Sequence, residues 1–104
     1  MEKMVIVALN PSVYDCRKSF YGKAKVFKCG KTIVLRSYDT MVCAIYRGKF
    51  YKLWDGYSAT TMRHINSFLY EYGIDGGGEK WWDDLPMASK SVKNSIERKI
   101  LISC

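Results

Sequence analysis

The chain has 104 residues, 48% of them apolar and 26% charged, which describes one folded domain and excludes a disordered chain. Its first apolar run, residues 4–9, is far short of the ~20 residues of a membrane span, and no signal-peptide cleavage pattern follows it, so the expected location is the cytoplasm. The net charge of +7 is one-sided: residues 1–57 hold 11 Lys/Arg against 4 Asp/Glu, whereas residues 58–104 hold 6 of each. A basic half suits a polyanion partner through counterion release, and it also suits a sheet whose lysines block edge pairing.

Residues 4–9 (MVIVAL) form a β-branched run and read as a strand. Asn10-Pro11 breaks it, because proline cannot donate to a central ladder. A meander begins at residue 20. FYGKAKVFK reads as a strand, Cys29-Gly30 as a hairpin turn and KTIVLRSY as the next strand. There Ile33 and Leu35 share one face while Val34 and Arg36 share the other. Tyr38-Asp39-Thr40 makes the next reversal. MVCAIY is apolar throughout, as a central strand covered on both faces is. Arg47-Gly48-Lys49 is a tight turn, and FYKLW is the last strand.

The pattern changes at Asp55-Gly56. Ser58 is placed to cap a helix over 58–72, with Gly73 ending it. Met62, Ile65, Phe68, Leu69 and Tyr72 form the core-facing stripe of that helix, and Arg63, Asn66, Ser67 and Glu71 lie off it. The three glycines 76–78 are expected to let the chain cross close to another backbone. Residues 79–85 suit one short helix stopped by Pro86. Its adjacent Trp81 and Trp82 cannot both face the core. Val92, Ile96 and Ile100, with Leu101 beside them, give an amphipathic C-terminal helix, docked on the domain or on a partner. The expected fold is a single α+β domain over 1–104. An antiparallel meander sheet of four or five strands packs one face on the main helix, and the C-terminal helix adds to that layer.

The stretch SYDTMVCAIYRGKFYKLWDGYSATTMRHINSFLYEYG, followed by GGGEKWWDDLP, resembles a small uncharacterised domain found in short proteins of phages, plasmids and conjugative elements of gut-type Gram-positive bacteria. The upstream SFYGKAKV resembles the start of the same domain, so the likeness spans residues 19–86. Its most specific blocks are WDGYSATTMRHIN and the glycine run with Trp81-Trp82-Asp83. The resemblance implies a mobile-element origin and supplies no catalytic residue. The strand at residue 4 and the tail after residue 87 fall outside it.

The cysteines Cys16, Cys29, Cys43 and Cys104 lack Cys-x-x-Cys spacing, and four free thiols are expected, with Cys43 the most buried. His64, the chain's one histidine, has no visible partner for general-base work and reads as a boundary residue bonded to backbone or water. Ser58, Thr60 and Thr61 at a helix start, with Arg63 one turn inside, suit either a phosphate or an ordinary cap. GGGEK is not a phosphate loop, because Trp81 stands where Ser or Thr belongs. Asp83 and Asp84 read as a solvated helix end rather than a metal site. No metal and no cofactor are expected.

The strongest functional signal is the interleaving of aromatic and basic residues. Rings that stack on bases, beside cations that hold the backbone, are what single-stranded nucleic acid requires. The candidate binding residues are Lys23, Lys25, Arg36, Tyr38, Arg47, Lys49, Lys52, Trp54, Tyr57, Thr60 and Arg63, with Tyr21, Tyr46 and Tyr51 among them in sequence. The same rings also fill the core and rim of a small domain. The expected function is therefore a non-enzymatic accessory protein of a mobile element, binding DNA or RNA through a basic, aromatic-bearing sheet face. The alternative is an interaction protein that inhibits or modifies a host protein, such as a defence-system nuclease. No membrane partner is expected, and the C-terminal helix is a candidate for self-association.

Overall fold

The computed structural model describes residues 4–9, 23–56 and 58–101. Among them, five strands form one antiparallel sheet in sequence order: β1 (Met4–Ala8), β2 (Ala24–Cys29), β3 (Thr32–Ser37), β4 (Thr40–Tyr46) and β5 (Lys49–Lys52). The expected meander is what forms. Two-residue connections at Gly30-Lys31, Tyr38-Asp39 and Arg47-Gly48 hold each strand beside its sequence neighbour. Arg47 and Gly48 both take positive φ, 52° and 79°, as a type I′ hairpin turn requires.

Two adjacent rows across the sheet explain its packing. Val7, Val26, Leu35, Cys43 and Lys52 are register partners in one row, and Ile6, Phe27, Val34, Ala44 and Tyr51 in the next. Successive residues of a strand point to opposite faces, so the two rows serve different sides. Val26, Leu35 and Cys43 bury against Met62, Ile65, Phe68 and Leu69 of helix α1 (Ala59–Glu71) and Trp82 of helix α2 (Glu79–Asp84). Phe27, Val34 and Ala44 bury against Ile96 and Ile100 of helix α3 (Lys90–Leu101). The register shifts between Leu35 and Arg36, and the carbonyl of Val42 on the opposing strand accepts from Leu53 N at 2.9 Å.

The sheet is thus covered on both sides, which corrects the expectation that both helices share one layer. The reason lies at the β5 edge. Met87 bridges parallel to Lys52, and Ala88 N donates to the Lys52 carbonyl at 2.9 Å. The chain therefore passes along the outer edge of β5 between α2 and α3 and delivers α3 to the other face. Ile96 and Ile100 of α3 are buried there.

The main helix starts and stops where its sequence says. Ser58 Oγ accepts from Thr61 N at 3.0 Å. At the other end Ile74 N donates to the Leu69 carbonyl and Gly73 N to the Tyr70 carbonyl, the Schellman pattern. The stripe is wider than expected: Thr61, His64 and Ser67 are buried as well. Of the adjacent tryptophans, Trp82 is fully buried and Trp81 half-buried.

The cysteine expectation also changes. Cys43 is a buried free thiol as expected, but Cys29, buried on the α3 side of β2, is in a disulfide whose other half lies outside the described residues. Sequence spacing does not report which cysteines approach in space. Cys16 and Cys104 lie outside the described residues.

Candidate nucleic-acid interface

The two recognisable blocks of the sequence meet each other. Trp82 Nε1 donates to the Gly56 carbonyl at 2.9 Å, and Gly78 N donates to Asn66 Oδ1 at 3.3 Å. Both bonds run from the glycine–tryptophan block to the block that begins at Trp54. The glycines here answer to side chains, not to another backbone as expected. A Cβ at Gly56 would collide with the Trp54 ring, and one at Gly76 with the Trp81 ring. This corner is the joint that fixes α1 and α2 to the sheet.

Lys52 belongs to that joint. It was an expected phosphate contact, yet its side chain is 3% exposed. Register places it on the α1–α2 face, where its Nζ donates to the Trp82 carbonyl at 2.7 Å and the Leu85 carbonyl at 3.3 Å. Those carbonyls lie at the C-terminal end of α2, where the Trp82 carbonyl also accepts from Leu85 N at 3.2 Å. The ammonium also lies 5.0 Å from the Trp82 ring centre and 3.7 Å from Asp55 Oδ1. Trp54 is half-buried against the same core, so it is no open stacking platform. Tyr57 and Tyr21 lie outside the described residues. Thr60 is exposed and Arg63 half-buried on α1.

A second joint ties α1 to β3. Ser37 Oγ is 2.7 Å from His64 Nδ1 and 3.1 Å from Thr61 Oγ1, all three residues being buried. His64 therefore has the side-chain partner that the sequence did not reveal, supplied by a residue 27 positions away. The same bonds engage Thr61, and Ser58 is engaged by the cap, so these two hydroxyls serve the fold, whereas Thr60 is exposed. Tyr38 and its ring cover the histidine at 5.8 Å. Among the described residues no buried polar side-chain atom lacks a partner, and no three His, Cys, Asp or Glu side chains group to hold a metal.

The remaining candidates separate to opposite ends of the sheet, about 20 Å apart for a six-residue strand. At one end are Lys23, Lys25, Arg36 and Tyr38. Lys23 Nζ sits 5.7 Å from the Tyr38 ring centre, and Lys25 and Arg36 are cross-strand partners. Arg36 is already paired with Asp39 at 2.9 Å and lies over Phe27. At the other end are Arg47 and Lys49. Among the described residues each sheet face packs against a helix, and these candidates sit at the strand ends.

The second end holds two cations that sequence reasoning missed. Lys31, from the β2–β3 turn, and Lys99, from the last turns of α3, line one pocket of about 410 Å³ together with Arg47, Thr32 and Tyr46. The guanidinium of Arg47 rests 5.3 Å from the Tyr46 ring centre. Three basic residues from three separate elements line the pocket, and among the described residues no carboxylate does. The adjacency of two hairpin turns was legible in the sequence. The arrival of Lys99 was not, because it depends on α3 crossing to the far face.

These features define a small three-layer α+β domain whose cationic groups gather at the hairpin ends of a covered sheet. The chain belongs to a family of unknown function (DUF8033), whose model matches residues 7–84. The match opens within β1, twelve residues before the resemblance noted at residue 19, and stops short of α3. No curated protein and no solved structure matches the chain. No helix among the described residues is long and apolar enough to cross a membrane.

Proposed function

We propose that this protein is a non-enzymatic accessory protein of a mobile genetic element that binds nucleic acid in the host cytoplasm. The observation that carries the reading is the convergence of Lys31, Arg47 and Lys99 on one pocket at the turn end of the sheet, with Lys49 beside Arg47 in sequence. Phosphate contacts dominate nucleic-acid affinity, and basic side chains gathered on one pocket suit them. The exposed Tyr38 at the opposite end, with Lys23 against its ring, offers a base a separate stacking surface. The test is titration of labelled single-stranded DNA and RNA. With about four phosphates neutralised, log affinity against log salt should fall with a slope of about −3. Absence of binding at low salt overturns the reading.

One observation favours the alternative, a host-protein partner. Val5 and Ile6 are each 50% exposed on β1, an outer strand of uncharged side chains. An extended segment of another protein can add to such an edge through main-chain hydrogen bonds. A partner held in nuclease-treated lysate at high salt, and lost with Ile6→Lys, supports that reading. A partner unaffected by Ile6→Lys counts against it.

A further inference from the structure

We infer that the pocket of Lys31, Arg47 and Lys99 takes the phosphomonoester at the end of a nucleic-acid strand, not a phosphodiester within one; this rests on the nucleic-acid reading above. Size is the first argument. A volume of about 410 Å³ lies at the small-ligand end of the usual pocket range and holds about one nucleotide, not a run of them.

Charge is the second argument. An internal phosphodiester carries one negative charge, whereas a phosphomonoester carries about −1.5 to −2 near neutral pH and three acceptor oxygens. The basic residues line the pocket from a hairpin turn, a second hairpin turn and a helix, which suits a compact anion better than an extended strand. Thr32, buried at the base of the β2–β3 turn, adds a hydroxyl to the lining.

Arg47 is the organising residue. Its guanidinium lies over the Tyr46 ring, which limits its freedom before any ligand arrives. Arginine also presents a fixed fork that matches phosphate oxygens. Its backbone holds φ 52°, at a turn position where Asn or Gly is the usual occupant. An arginine placed there against backbone preference is accounted for by what its side chain does.

The test compares one short single-stranded oligonucleotide in three forms: 5′-phosphorylated, 3′-phosphorylated and with both ends hydroxyl. The expected result is binding of at least one phosphorylated form about tenfold tighter than the hydroxyl form, as extra charge-assisted contacts give. Arg47→Asn and Lys31→Ala should erase that difference while the protein stays folded by circular dichroism. Equal affinity for all three forms overturns the end-phosphate assignment and leaves nucleic-acid binding standing. No binding of any form at low salt overturns both. A nucleoside 5′-monophosphate that binds as tightly as the phosphorylated oligonucleotide, or a phosphoserine peptide that binds more tightly, also overturns the assignment to a strand end.

Discussion

Lys52 Nζ donates to the Trp82 carbonyl at 2.7 Å, and the same ammonium lies 5.0 Å from the centre of the Trp82 ring. A cation from the last strand thus closes the end of α2 and packs on its buried indole. A charge this deeply buried is tolerable because carbonyls and a ring face replace its water. Lys52→Ala removes the donor to the Leu85 carbonyl and leaves the Trp82 carbonyl with Leu85 N alone, so it should cost about 2–4 kcal/mol in urea unfolding. The folded variant should keep its nucleic-acid affinity. Unchanged stability with lost binding would return Lys52 to the interface.

The Ser37–His64–Thr61 network predicts a structural role for the histidine. Ser37→Ala strands His64 Nδ1 and the Thr61 hydroxyl without their shared partner, at an expected cost of about 1–3 kcal/mol. Thermal unfolding followed by circular dichroism measures it. A variant as stable as the parent would mean that the three side chains do not depend on one another.

Gly76 has φ 141°, and the Trp81 ring occupies the place of its missing Cβ. Gly76→Ala therefore meets strain and a collision together, and should cost about 2 kcal/mol or more. Gly48, with open space around its absent Cβ, is the control for strain alone: Gly48→Ala should cost less. Equal losses at the two positions would show that the indole moves aside freely.

Arg47→Asn should act in the opposite direction on stability. Asparagine suits the positive φ of the first position of a type I′ turn, so a gain of about 0.5–1 kcal/mol in urea unfolding is expected. The loss of the stack on Tyr46 offsets part of it. A destabilised variant would mean that the stack outweighs the backbone preference.

Cys43 supplies a pH dependence. Burial pushes its thiol well above the ordinary value of 9.0. The folded state then holds its proton where the unfolded state has released it. The contribution is intact below the ordinary thiol range and is lost as pH rises from there toward the folded value, with a limiting slope of about 1.4 kcal/mol per pH unit. Stability measured from neutral pH upward should fall less steeply in Cys43→Val than in the parent. The native thiol should also resist alkylation at neutral pH. Parallel slopes would show that Cys43 does not titrate with unfolding.

Much of the fold was legible because it rests on local signals. Alternation in KTIVLRSY, the Arg47-Gly48 turn, the Ser58 cap and the Gly73 stop each act over a few residues, and each appears where the sequence puts it. The apolar run MVCAIY suited a strand covered on both sides. What it could not say is which helix covers which side, because amphipathic stripes on α1 and α3 are satisfied by any apolar face. The site was less legible for the same reason. Lys52 and Lys49 look alike in sequence, and register alone sends one into the core and leaves the other in water.

The sequence by itself determined a meander of four or five strands, the bounds of the main helix and the basic bias of the first half. Those follow from periodicity, turn chemistry and composition, which are properties of neighbours along the chain. Only the tertiary structure decided that α3 crosses the β5 edge to the far face, that the block from Trp54 and the glycine–tryptophan block form one hydrogen-bonded joint, and that Lys99 lines a pocket with Lys31 and Arg47. Those depend on which apolar faces find each other across long separations, and local sequence preferences do not encode that choice.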